Sequence, residues 1–201
     1  MVQTCTRNME KTMDIISSDE EVYDYDLWFN QIELHGDVHN YGPDYVHNKI
    51  LQQIIFLLDL PTGKIVMLGS NKCYGLELLC KQYGYNKVIG YDLHNPTNHK
   101  CVIQGNILTL AQPIESSLVI NDIGNFELTP KAKIYAQEWA ANNTVINGYV
   151  LGNTNNNKAG YNIEEYMSNK GFELIKLTDF ETHEIPEWAL QSYALYRRVV
   201  L

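Results

Sequence analysis

Apolar residues in this chain fall into short continuous runs separated by segments of helical period. Ile65, Val66, Met67 and Leu68, bounded by Gly63 and Gly69, read as a strand covered on both faces, because a half-exposed strand would alternate polar and apolar. Leu76, Leu79, Cys80 and Tyr83 then recur at helical spacing, and Gly84 supplies the stop. Residues 88–91 form a second apolar run, and Asp92 stands where that strand should end. Further runs at 101–103, 117–120 and 144–151 predict a third, fourth and fifth strand. Thr129 as cap and Pro130 as first residue open a helix between the last two, with Ala132, Tyr135, Ala136 and Trp139 on its inner face. A short helix at 162–169, stopped by Gly171, precedes two last strands at 172–180 and 192–200. Only a loop is expected between those two, so they should pair as an antiparallel hairpin.

Upstream of the first strand the pattern is helical. Residues 1–17 show no sustained period and predict a loosely held terminus. Ser18-Asp19-Glu20-Glu21 has the form of a capping box, followed by Val22, Tyr25, Phe29 and Ile32 on one helical face. Residues 35–47 are polar, aromatic and rich in turn formers, which suits a lid placed just before the core. Ile50, Leu51, Ile54, Ile55, Leu57 and Leu58 fill so much of the next helix that it should be largely buried. The expected organisation is therefore 1–17 as a loose terminus and 18–201 as one α/β domain, with N-terminal helices and lid over 18–60 and the core over 61–201.

Composition narrows the function classes. A chain of 201 residues can bury roughly 70% of its unfolded surface and needs neither metal nor disulfide to do so. The formal charge is −9, from 15 Lys and Arg against 24 Asp and Glu, with no basic run. That argues against nucleic acid, which selects clustered cations. Cys5, Cys73, Cys80 and Cys101 show no CxxC spacing and are expected as reduced core thiols. The longest apolar run, 54–58, is far short of the ~20 residues of a membrane span. With no signal-peptide pattern either, a cytoplasmic protein is expected.

Strand, glycine turn, helix and second strand ending on an acid make half of a nucleotide-binding βαβ unit. Its ligand lies across the carboxyl ends of the strands, where an acid about 20 residues beyond the turn binds the ribose hydroxyls. Asp92 has that position relative to Gly69. A dinucleotide would require glycine at the places held here by Asn71 and Tyr74, because pyrophosphate must meet bare backbone. An adenosine ligand without a diphosphate fits better.

The element order, with its closing hairpin, resembles that of the class I S-adenosylmethionine-dependent methyltransferases over residues from about 43 to 201. VMLGSNKCYG is similar to the family loop VDVGANxGY: Gly69, Asn71 and Tyr74 keep the pattern, while Met67 and Cys73 stand where an acid and a glycine are usual. The resemblance implies a three-layer Rossmann-like sheet of order 3-2-1-4-5-7-6 with the seventh strand antiparallel, and S-adenosyl-L-methionine as cofactor. It further implies that Gly69, Ser70 and Asn71 form the loop beside the methionine part. Asp92 would accept from the ribose hydroxyls, with Leu93 next to it. Asn106 and Ile107 would meet the adenine. Asn121 and Asp122 would face the transferred methyl, with Asp122 and His39 as catalytic candidates and His47 and His183 as further candidate bases. The implied activity is methyl transfer to an unidentified acceptor, a small molecule or a protein.

Two alternatives accompany this reading. SLVINDIGNF is similar to the fourth-strand segment of viral RNA 2′-O-methyltransferases, and Lys49 and Asp122 could stand for two members of their Lys-Asp-Lys-Glu tetrad. The fifth strand lacks the lysine, however, and Gln191 and Ser192 stand where the glutamate belongs, so that tetrad is not adopted. The departures at Met67 and Cys73 leave a catalytically degenerate member, kept as a scaffold for another protein, as the second alternative. No metal is expected, because His35, His39 and His47 lack the spacing and companions of a zinc site.

Overall fold

The computed structural model describes residues 45–70, 74–92, 98–105, 113–121, 130–153 and 162–200. The expected loose terminus, the helix across 18–32 and the candidate lid up to residue 44 lie outside them. Five strands are parallel: β1 (Lys64–Leu68), β2 (Val88–Asp92), β3 (Val102–Gln104), β4 (Ser116–Asn121) and β5 (Thr144–Asn153). β7 (Tyr193–Arg198) runs antiparallel to both β5 and β6 (Phe172–Ile175). The seven strands are ordered β3-β2-β1-β4-β5-β7-β6, the expected order.

Each face of the sheet carries its own core, which is why the central strands are apolar at consecutive positions. Ile65 and Met67 of β1 point into one core, with α1 (Val46–Gln53), α2 (Tyr74–Tyr83) and α5 (Glu187–Gln191) supplying Ile50, Leu51, Leu76, Leu79 and Leu190. Val66 and Leu68 point into the other, against Ala136, Trp139 and Ala140 of α3 (Pro130–Asn143) and Ile163 and Met167 of α4 (Ile163–Asn169). Each of the fully buried Leu and Ile side chains is worth about 1.5–3 kcal/mol over leaving it in water.

Local signals set the helix ends. Asn162 caps α4 by accepting from the Glu165 amide at 3.1 Å, with Glu164 and Glu165 in the first turn, where they complement the helix dipole. Gly171 takes φ 79°, the left-handed conformation that ends a helix and that only glycine adopts freely.

Three expectations are corrected. Leu57 is 74% exposed, because α1 stops at Gln53 and the 3-10 turn Ile55–Leu57 rotates that side chain out of the core. The strand expected over 172–180 ends at Ile175, and a 3-10 turn at Leu177–Asp179 carries Leu177 into the core. The segment before β7 is more than a loop, since Glu187–Gln191 forms α5 after Pro186 and buries Ala189 and Leu190. The expected antiparallel pairing holds, with Phe172 opposite Arg198 and Ile175 opposite Leu195. Among the described residues no helix is long and apolar enough to cross a membrane.

Candidate functional site

Parallel register brings the carboxyl ends of three strands to one rim. Leu68 lies level with Tyr91 of β2 and with Asn121 of β4, so Gly69, Asp92 and Asn121 all arrive there. Gly69 has φ 77°, and its amide donates to the Tyr91 carbonyl at 2.8 Å. The chain thus leaves β1 through a left-handed turn while still pinned to β2, a conformation a side chain would strain. Next, the Ser70 amide donates to the same carbonyl at 3.4 Å.

Backbone proximity shapes this corner. A Cβ at Gly90 would stand 2.7 Å from Leu76 Cδ2 and 3.0 Å from Ser70 Oγ, so glycine there lets both α2 and the loop press onto β2. Gly75, within α2, does the same toward α1 and β1, where a Cβ would meet Asn48 Oδ1 at 3.1 Å and Met67 Cε at 3.3 Å. Met67 is therefore a core side chain under α2. Ser70 is buried, and its hydroxyl has no hydrogen-bond partner among the described residues. A buried hydroxyl left in that state costs about 1–3 kcal/mol, which a water or a ligand atom would recover.

Asp92 ends β2 half-buried, its carbonyl accepting from the Gly105 amide at 2.9 Å, so β3 fixes the backbone that presents the carboxylate. Asn121 is buried at the end of β4. Its Nδ2 donates to Gln137 Oε1 at 3.3 Å, and Gln137 Nε2 donates to Met167 Sδ at 3.0 Å. This chain of amides ties the rim to α3 and α4 beneath it.

Beyond Asn121, where β5 ends and β7 begins, the rim opens into a cavity of about 220 Å³ lined by Gln137, Gly152, Ile163, Leu190, Tyr193 and Tyr196 among others. Burial, with Glu164 adding to it, pushes the Tyr196 phenol up to about 12, so it stays protonated at neutral pH. Gln137 and Tyr193 were not singled out from the sequence. Neither belongs to a motif: pairing with Asn153 of β5 brings Tyr193 to this rim, and Gln137 reaches it from α3 through its hydrogen bond with Asn121.

Of the sequence-derived candidates, Gly69, Ser70, Asp92 and Asn121 come together here. Asn71, Leu93, Asn106, Ile107, Asp122 and His39 lie outside the described residues, as does Cys73. Of the remaining candidate bases, one is buried and the other is exposed. His47 is buried in α1 and stacks on Tyr193 at 5.6 Å, and the His183 backbone exchanges two hydrogen bonds with the Gln53 side chain. Lys49 is ion-paired to Glu184 at 3.2 Å. Among the described residues no group of His, Cys, Asp and Glu could hold a metal ion.

No protein-family model matches the sequence, and no curated protein matches it. Solved structures do. A chain from the complex between the Haloferax volcanii Trm112 methyltransferase activator and a methyltransferase aligns with TM-score 0.50 and 15% identity, over 84% of this chain and 97% of that one. An O-methyltransferase family protein from Burkholderia thailandensis aligns with TM-score 0.51 and 12% identity, over 82% of this chain but 60% of the longer relative. At such identities the likeness is one of fold. With the strand order and the antiparallel β7, it defines the protein as having the Rossmann-like methyltransferase fold.

Proposed function

We propose that this protein is an S-adenosyl-L-methionine-dependent methyltransferase whose cofactor lies across the ends of β1, β2 and β4. The observation that carries the reading is the rim itself, where a left-handed Gly69 turn pinned to β2 stands beside the Asp92 carboxylate at the carboxyl ends of parallel strands. In this reading Gly69, Ser70 and Asn71 hold the methionine part, and Asp92 accepts from the ribose hydroxyls beside Leu93. Asn106 and Ile107 meet the adenine, while Asn121 and Asp122 face the methyl group. The buried Ser70 hydroxyl, unpartnered among the described residues, supports a ligand atom there.

Methyl transfer from a sulfonium is chemically downhill, so the protein's task is to align the acceptor and exclude water. The acceptor enters from the side of the cavity beside Gln137 and Tyr193, and Asp122 or His39 takes its proton where the acceptor carries one. Titration calorimetry with S-adenosylmethionine and S-adenosylhomocysteine tests the reading. Saturable heat with a rise in Tm is expected; no heat and no rise at millimolar ligand would overturn it, since a specific ligand must stabilise by mass action.

A second reading, a scaffold that keeps the fold and binds another protein, is favoured by one observation. Met67 is committed to the core beneath Gly75, so the carboxylate of the family loop has no counterpart there. The Haloferax neighbour was solved with an activator, and an analogous partner for this chain belongs to this reading. Co-purification of a stable partner with no bound nucleoside is its expected signature, and turnover of any acceptor by the isolated chain excludes it.

A further inference from the structure

Away from the rim, the base of α2 and the start of β3 hold a cluster that the proposed function does not use. Cys80, in the last turns of α2, is 1% exposed, and Cys101, just ahead of β3, is partly exposed. Their sulfurs lie 3.6 Å apart. Cys101 is held in place from several sides. Its carbonyl accepts from the Gly90 amide at 2.7 Å, its amide donates to His99 Nδ1 at 3.2 Å, and its thiol donates to the Tyr85 carbonyl at 3.5 Å. Because His99 Nδ1 accepts, its ring proton sits on Nε2, which meets Glu77 Oε2 at 3.0 Å. Glu77 also accepts from the Tyr85 hydroxyl at 2.7 Å, and the Lys100 ammonium lies 3.5 Å from the Tyr85 ring centre. The partly exposed thiol is thereby aimed at the buried one.

We propose that Cys80 and Cys101 are a dithiol site that closes to an intramolecular disulfide on reaction with a small-molecule disulfide such as glutathione disulfide. The sulfurs need to approach by about 1.5 Å to reach the bond length of about 2.05 Å. Cys101 reacts first, because it is the accessible one. Its thiolate attacks the small disulfide, whose S–S bond breaks and releases one thiol, leaving Cys101 in a mixed disulfide. Cys80 then attacks the Cys101 sulfur, its proton passes to the second departing thiol, and the protein S–S bond forms. In sum two protein thiols are oxidised and one small disulfide is reduced to two thiols. Burial, followed by the neighbouring Cys101 thiol, pushes Cys80 up to about 12, which keeps it from reacting on its own. Capture of Cys101 in the mixed disulfide removes the second of these effects. The bond would staple α2 to the start of β3, closing the stretch of chain from Cys80 to Cys101.

The test uses the full chain, reduced and then equilibrated with glutathione disulfide. Tryptic digestion and fragmentation should find Cys101 joined to Cys80 with the loss of two hydrogens. Tm should rise by roughly 6–12 °C, as expected for closing a loop of about 20 residues, and dithiothreitol should reverse the rise. Cys80→Ser should leave Cys101 as its glutathione adduct with no rise, and Cys101→Ser should leave Cys80 unmodified. Linkage of Cys101 to Cys73 or Cys5 would overturn the proposal, as would a rise in Tm that persists in Cys101→Ser, or free Cys80 and Cys101 after equilibration.

Discussion

The two halves of the sheet are held together by different means. In the half formed by β3, β2, β1 and β4, side chains press against bare backbone at glycines beside the rim: Gly90 admits Leu76 and Ser70, and Gly75 admits Asn48 and Met67. In the half formed by β5, β7 and β6, long side chains tie elements together. Arg198 of β7 donates from Nη1 to the carbonyls of Ala141 and Thr144 at the end of α3 and lies over the Phe172 ring. Gln137 of α3 meanwhile links Met167 of α4 to Asn121 at the end of β4, where the two halves meet. A cation at a helix carboxyl end gains from the dipole as well as from its hydrogen bonds. The difference teaches where a ligand can enter. The half with bare glycines presents amides and a carboxylate at the rim, whereas the cross-linked half surrounds a cavity with side chains.

Substitutions can break or sharpen this contrast. The largest effect is expected from Gly90→Val, which places methyl groups where Leu76 and Ser70 already sit. Overpacking of this kind costs about 3 kcal/mol, measured by urea denaturation, and the Gly69–Ser70 corner should lose its ligand with it. Asp92→Ala should weaken S-adenosylmethionine binding about 100-fold, equivalent to about 2.7 kcal/mol, because the proposed site loses two charge-assisted hydrogen bonds to the ribose. Undiminished affinity in calorimetry would mean that the ribose lies elsewhere.

In the other half, Arg198→Ala should cost about 2 kcal/mol of stability through the uncapped carbonyls, with cofactor affinity unchanged. Gln137→Leu should cost about 1 kcal/mol by stranding the Asn121 amide, read from the shift in urea midpoint. The smallest effect concerns pH. The hydrogen bond to His99, then that to Tyr85, holds the Glu77 carboxyl below its usual value of 4.5. Its contribution is therefore complete above 4.5 and is lost as pH falls through its lower value in the folded state. This partly solvent-exposed group should contribute less than about 1 kcal/mol, and Glu77→Gln should flatten the acid limb of Tm against pH by that amount.

Much of the fold was legible because local pattern reports local burial. Four consecutive apolar residues in β1 require cover on both faces, and the structure supplies two cores. The breaks at Gly84 and Gly171 and the cap at Asn162 follow from backbone chemistry that neighbours in sequence already express. Less legible was α5, where Pro186 followed by Glu-Trp-Ala-Leu-Gln carries the start signal of a helix in too short a segment to show a period. Leu57 misled for the opposite reason: its apolar neighbours fit a helical face, but the change to a 3-10 turn alters the rotation per residue.

By itself, then, the sequence determined the strands, their order along the chain, the glycine turn after β1 and the acid that ends β2. These depend on periodicity, capping and turn propensity, each encoded within a few residues. Tertiary structure alone decided which distant groups meet. The register of β1 with β2 and β4 brought Gly69, Asp92 and Asn121 to one rim. Packing of α2 sent Met67 into the core and set Cys80 against Cys101, 21 positions apart in the chain. The Asn121–Gln137–Met167 link likewise needed three elements in place at once. Such contacts have no local signature, because any one partner's sequence environment is satisfied without them.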